Sequence, residues 1–146
     1  MILNQISTGL VAGLVSTGVM SLVEYPIWRK WGVEGVSEWH LNQVMIGRIM
    51  HRSPQTVVLQ GIILHFLHGG LAGIVFALLL SEVPNIPTFE AGIMFGLLLW
   101  IIALIIMRPV TGVEFWHHPL GLPAILVSLF GHILYGMFLG LVMMCL

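Results

Sequence analysis

Four long apolar stretches alternate with shorter polar ones along the chain, and this pattern predicts the fold. The stretches cover about residues 2–24, 56–80, 88–107 and 122–146. An α-helix needs about 20 apolar residues to cross a hydrocarbon core of about 30 Å. The sequence therefore predicts an all-α polytopic membrane protein, with four transmembrane helices in a single membrane domain over residues 1–146.

Residues 32–55 are the only extended polar region of the sequence. Ser37 is suited to cap a helix that runs to about residue 52. One side of this helix would be mostly apolar, with Leu41, Val44, Met45, Arg48 and Ile49 near it and Glu38, Asn42, Gln43 and His51 elsewhere. Such a pattern predicts an interfacial amphipathic helix that lies along the membrane surface, with His40 and His51 exposed to solvent.

Basic residues occur only on the side shared by the first and third connections. They are Arg29, Lys30, Arg48, Arg52 and Arg108. Because cytoplasmic loops carry an excess of Lys and Arg, loops 25–55 and 108–121 are expected to be cytoplasmic, with both termini outside. The protein is expected to be multi-pass in the cytoplasmic (inner) membrane of its cell.

Composition supports the membrane class and excludes others. Hydrophobic residues make up 58% of the chain and charged residues 8%, whereas a soluble domain has about 25% charged residues. The formal net charge of −1 argues against a nucleic-acid partner and leaves the lipid bilayer as the main contact. A single cysteine, Cys145, excludes an internal disulfide.

Glycines recur at four-residue spacing in two matching sets. The first and third stretches share one pattern (Gly9, Gly13 and Pro26; Gly92, Gly96 and Pro109), and the second and fourth share another (His65, Gly69 and Gly73; His132, Gly136 and Gly140). The recurrence predicts two copies of a two-helix hairpin, arranged as parallel repeats about an axis along the bilayer normal. The glycine faces would pack helices together, either within one chain or across a dimer.

His65 and His132 are the strongest candidates for a functional site. An ionisable side chain inside a membrane span is costly and marks a functional site by default. Both histidines are expected about 14 Å deep, facing each other across the axis of the repeat.

Several roles for this pair remain open. Opposed imidazoles could ligate a b-type haem, with Gly69 and Gly136 making room for the macrocycle, or hold copper with His68 as a third metal ligand. They could also relay protons, with Glu24 or Glu90 nearer the surfaces. In a purely structural role, each histidine would donate to a helix carbonyl or hydroxyl while the glycines only pack.

A second, weaker cluster lies in the third connection. Glu114, His117 and His118 have a spacing that could bind a metal on a helix, but Pro119 and two aromatic residues favour a loop at the interface. No nucleophile with a base and no phosphate loop is recognisable, so the chain is not expected to be catalytic on its own.

From residue 65 onward the chain resembles the DUF6789-type family of small membrane proteins. The resemblance is carried by HFLHG at 65–69, GIMFGLLLW at 92–100, IMRPVTG at 106–112 and FGHILYGMFLG at 130–140. GLVAGLVSTGVMSLV near the N-terminus is similar as well. The chain is more distantly similar to bacterial YagU-like inner-membrane proteins. The family resemblance implies a four-helix membrane fold and no particular activity, and the YagU-like one implies an association with acid resistance.

Three functions are compatible with this sequence. The first is a non-catalytic accessory or structural subunit of a larger membrane complex of the oxidoreductase type, in contact with other membrane subunits. The second is an electron-transfer protein that binds haem b or copper through His65 and His132. The third is a small proton or ion transporter. A chain this short, with almost no extramembrane part, favours the first.

Overall fold

The computed structural model describes residues 2–83, 85–112 and 120–146, without the side chains at 33, 107 and 108. Every regular element among these residues is helical. The α-helices are α1 (Ile2–Trp31), α2 (Ser37–Met50), α3 (Val58–Glu82), α4 (Thr88–Thr111) and α5 (Leu122–Cys145). Short 3-10 turns at Val33–Gly35 and Pro54–Thr56 flank α2.

Four of the helices, α1, α3, α4 and α5, are long and apolar enough to cross a membrane. The predictions of an all-α fold and of a multi-pass membrane protein with four spans are therefore confirmed for the described residues. Helix α1 is longer than the predicted first span, since it continues through Pro26 to Trp31. Pro26 removes one backbone hydrogen bond and its ring crowds the carbonyl one turn earlier, but the helix ends only before Gly32, which has a φ of 71°.

The spans are arranged in the order α3, α1, α5, α4. Helix α1 packs along both α3 and α5, and α4 packs along α5, whereas α3 and α4 hardly touch each other. Helix α2 packs against α3 and also reaches α4 and α5. It therefore occupies one end of the gap between α3 and α4.

Glycines bring the paired helices into backbone contact. A Cβ atom at Gly9 would lie 2.6 Å from the Gly73 carbonyl oxygen, and one at Gly92 would lie 2.9 Å from the Gly140 nitrogen. Gly13 packs in the same way on Gly69, and Gly96 on Gly136. The glycine faces named in the sequence thus meet within one chain, α1 on α3 and α4 on α5.

Helix α2 differs from its prediction in two respects. Its N-cap is Val36, and Ser37 is the first helical residue and makes no capping hydrogen bond. Its polar side is turned into the bundle: Glu38, Asn42 and Gln43 are buried, whereas Ile49 is 70% exposed. The sequence placed these three polar side chains away from the apolar side of a helix on the membrane surface. Glu38 is buried instead because a polar group of α5, Ser128, faces α2.

The two halves of the bundle differ in polarity. Towards the ends at which α1 begins and α5 ends, the core consists of apolar side chains such as Ala12, Phe76, Phe95 and Leu139. The rings of Phe76 and Phe95 lie 5.2 Å apart, centroid to centroid. The buried polar side chains lie in the other half, where α2 is inserted.

Candidate functional site

Helix α2 brings a carboxyl group to the predicted histidine of α5. Glu38 lies one residue into α2 and is 6% exposed. Its Oε1 accepts a hydrogen bond from the Ser128 hydroxyl and lies 3.4 Å from Nδ1 of His132. That nitrogen is also 2.9 Å from the carbonyl oxygen of Ser128. Because a carbonyl only accepts, Nδ1 carries the proton, and the Nε2 of a neutral His132 is left as an acceptor.

A second carboxyl group lies beside the first. Glu24 of α1 is 1% exposed and adjoins the carboxyl of Glu38 and the indole of Trp39. Neither of its oxygens has a well-formed hydrogen bond within the described residues. Gly131 of α5 makes room for it, since a Cβ there would lie 2.6 Å from Glu24 Oε1. Desolvation and mutual repulsion oppose two negative charges here, so the pair favours holding one proton.

His65 of α3 completes this cluster from the opposite side. It is 7% exposed, interacts electrostatically with His132, and its Nε2 has no hydrogen-bond partner among the described residues. The structure thus brings together the two histidines that the sequence singled out. Near them, the Tyr135 hydroxyl donates to the carbonyl oxygen of Gly69 at 2.7 Å, so this glycine offers both close helix packing and an acceptor.

A cavity of about 340 Å³ lies beside the histidines. Its walls come from all five helices, and Glu38, Asn42, His65 and His132 are among the polar residues that line it. His68 also lines it but is exposed, which places this residue at the opening between α3 and α4. The remaining wall is mostly aliphatic, including Leu99, Ile102, Ala103 and Ile106 of α4.

The other sequence candidates lie apart from this cluster or outside the described part. Glu90 is exposed at the start of α4, at the opposite end of the bundle. Glu114, His117 and His118 lie outside the described residues. His51 is exposed, as expected, but His40 is half-buried, and this burial lowers its pKa against the opposing effect of Glu34.

The described residues do not form a complete protein site for a metal ion. Within residues 2–83, 85–112 and 120–146, no three His, Cys, Asp or Glu side chains come together as potential ligands. His65 and His132 could still offer two nitrogens, one each, to a group that enters the cavity. Bis-histidine haem ligation therefore stays a prediction, while the copper arrangement with His68 as third ligand finds no support.

Sequence reasoning missed Glu38, Ser128 and Gly131. The sequence does contain a signal for them, because the four-residue spacing extends one step before each histidine. In α5 it runs back from His132 to Ser128, and in α3 from His65 to Gly61. A hydroxyl in register with an intramembrane histidine indicates a further polar partner. Gly61 marks where that partner helix arrives, since a Cβ there would lie 3.3 Å from Gln43 Cα of α2.

Comparison with known proteins agrees with the family resemblance. A protein-family model described as a family of unknown function, DUF6789, matches residues 3–146. The chain belongs to this family. The DUF6789 match covers nearly the whole chain, including residues 28–55, which the motifs quoted from the sequence leave out. No curated protein and no solved structure matches the chain, and similarity to YagU-like proteins is not shown.

Proposed function

We propose that this protein exchanges protons between its interior and one side of the membrane, through the buried cluster of Glu24, Glu38, His132 and His65. One observation carries the proposal: α2 places Glu38 where it contacts Glu24 on one side and Ser128 and His132 on the other. Carboxyl and imidazole groups held together out of water can accept and pass protons.

The exchange would be one-sided. The cluster lies in the half of the bundle where α1 ends and α3 and α5 begin, and Arg29, Lys30, Arg48 and Arg52 lie near those ends. By the positive-inside rule this side is cytoplasmic and both termini are outside, in a cytoplasmic membrane. The opposite half is closed by the apolar core around Phe76 and Leu139. A transporter would need that half to open, and its test remains loss of proton flux in liposomes on His65→Ala.

Infrared spectroscopy of the protein in nanodiscs tests the proposal. A shared proton should give the carbonyl band of a protonated, buried carboxyl group at neutral pH, and this band should shift in D2O because the proton exchanges with water. Glu24→Gln should remove it, since the remaining Glu38 accepts from Ser128 and lies beside His132. Glu38→Gln should only shift it, since Glu24 stays desolvated at 1% exposure. Glu82→Gln, an exposed position at the end of α3, should leave the band unchanged. A band that survives unchanged in Glu24→Gln would reject the proposal.

The matching glycine contacts support an internal duplication. Gly9 packs on Gly73 as Gly92 packs on Gly140, and Gly13 packs on Gly69 as Gly96 packs on Gly136. We propose that α1–α3 and α4–α5 are two parallel copies of one hairpin, with α2 inserted in the first. The two-fold axis would relate α1 to α4 and α3 to α5. A contact between α1 and α5 would then imply an equivalent contact between α4 and α3, and the insertion of α2 into part of that space would explain why this contact is nearly absent.

An accessory role in a larger membrane complex, of the oxidoreductase type, stays a prediction and is compatible with proton exchange. The glycine faces are occupied within the chain, so a partner subunit would contact the exposed aliphatic outer faces, for example Leu67 and Leu71 of α3. Copurification of partner subunits in mild detergent would support this role, and a protein that purifies alone as a stable unit would count against it.

A further inference from the structure

We propose that the cavity between α3 and α4 binds a lipophilic quinone or quinol, with the ring oxygens directed at His65 and the ring and tail against the aliphatic wall. This inference goes beyond proton exchange and does not depend on it, because binding is measured without any transfer of protons. No redox step is included.

The shape of the site fits a ligand that enters from the bilayer. Helices α3 and α4 hardly touch, and α4 contributes Leu99, Ile102, Ala103 and Ile106 to the cavity wall. Ile102 is 43% exposed and Ile106 is 38% exposed, so the wall continues onto the lipid-facing surface. A volume of about 340 Å³ accommodates a small ring with part of a tail, at the lower end of the range for ligand pockets of about 300 to 1,000 Å³.

The polar groups select a neutral head that can accept and donate hydrogen bonds. His65 Nε2 and Asn42 Oδ1 are buried without hydrogen-bond partners among the described residues, and both side chains line the cavity. An imidazole nitrogen can donate to a carbonyl or accept from a hydroxyl, and an amide oxygen can accept from a hydroxyl. An unpaired buried polar atom is costly, so a ligand that pairs it gains affinity.

Charge argues against an anionic head group. Glu38 lines the cavity, and no lysine or arginine does so among the side chains that the structure describes. A fatty-acid carboxylate or a lipid phosphate would therefore meet a carboxyl group without a cation to offset the repulsion. An apolar molecule without oxygens would leave His65 and Asn42 unpaired. The quinone class combines an apolar body with neutral oxygens on a flat ring.

Binding can be measured with a decyl-tailed benzoquinone added to the protein in nanodiscs, by quenching of tryptophan fluorescence and by the shift in melting temperature. Saturable binding to the unaltered chain is expected. His65→Leu removes the hydrogen bond, and Ala103→Phe fills the cavity without altering a polar group, so each should weaken binding about tenfold or more. His51→Gln, exposed and far from the cavity, should bind as the unaltered chain does and corrects for quinone dissolved in lipid.

Three results would overturn the proposal. Equal affinity for decylbenzene would identify an unspecific apolar pocket, and tighter binding of decanoate would identify a carboxylate site. Unchanged binding in both His65→Leu and Ala103→Phe, with both variants melting as the unaltered chain does, would place the ligand elsewhere. If the unaltered chain did not bind the benzoquinone but still showed the infrared carboxyl band, the quinone proposal would fail and the proton-exchange proposal would stand. The two proposals can therefore fail separately.

Discussion

At the scale of single residues, the burial of Glu24 is the least expected feature. It is a carboxyl group at 1% exposure, and the polar groups that interact with it among the described residues are another carboxyl and an indole. The sequence indicated an interfacial residue near the end of the first span. It could not show that α1 runs on through Pro26, which places Glu24 more than one turn inside the helix.

Replacing Glu24 with glutamine should stabilise the protein. The amide removes a potential negative charge from a desolvated position and can donate a hydrogen bond to Glu38, and a bond to a charged group contributes about 1.5–3 kcal/mol. A rise in melting temperature in detergent is the expected result. The matched change Glu38→Gln keeps an oxygen that can accept from Ser128 but replaces the carboxylate beside His132 Nδ1 with a neutral amide, so it should lower the melting temperature. A lower melting temperature for Glu24→Gln would mean that the Glu24 carboxylate makes a stabilising interaction that glutamine cannot replace.

The glycine contacts predict that the same substitution will have very different effects on stability at two positions of α1. Gly13→Ile should destabilise the α1–α3 pair, because its Cβ would lie 3.0 Å from the Gly73 Cα atom and no backbone can give way. Overpacking of this kind costs about 1–3 kcal/mol. Gly18→Ile on the same helix is the control, since its nearest neighbour is the Phe66 ring at 4.0 Å. Equal melting temperatures for the two variants would contradict the glycine packing.

At the scale of elements, α2 is where the sequence and the structure diverge most. Its limits were close to those predicted, since the helix ends at Met50 and His51 adopts a left-handed conformation at its C-terminus. The orientation of α2 differs from the one expected, because an amphipathic pattern alone does not show which face of a helix contacts the rest of the protein. Glu38, Leu41, Asn42 and Met45 share one side and all line the cavity. That inner face carries both polar and apolar residues because the cavity wall opposite it contains polar groups such as His65 and His132 as well as aliphatic ones such as Leu99 and Ile102.

Cysteine labelling can test this orientation of α2. In a background with Cys145→Ser, Asn42→Cys should react slowly with a water-soluble maleimide, because Asn42 is 4% exposed. Ile49→Cys, on the same helix at 70% exposure, should react rapidly. Comparable rates at both positions would show that α2 lies on the surface with its polar side outward.

The spans themselves were predictable because their signal is simple. Long runs of apolar residues have few alternatives to a membrane helix, and the four-residue spacing of glycines is also visible in the sequence alone. Pairings across different helices were not predictable in the same way. The contact between Glu38 and Ser128 joins residues 90 positions apart, and no local pattern encodes it.

At the scale of the whole molecule, the number of membrane crossings decides the topology. Helix α2 has 14 residues, which at 1.5 Å per residue is too short to cross a core of about 30 Å. Four crossings place both termini on the same side. Reporter domains fused before residue 1 and after residue 146 should therefore report the same compartment, and one inserted at Gly32 the opposite compartment. Termini on opposite sides would require an odd number of crossings and would contradict this count.

The separation of α3 from α4 also determines how a lipophilic molecule reaches the interior. An opening between two membrane spans faces acyl chains, so an entering molecule arrives by diffusion in the plane of the bilayer. The occupancy of the cavity then depends on the mole fraction of that molecule in the membrane, and therefore on how strongly it partitions from water into lipid. A compound that is scarce in the cell as a whole can saturate such a site if it concentrates in the membrane, and a compound that is abundant but hydrophilic cannot reach it by this route.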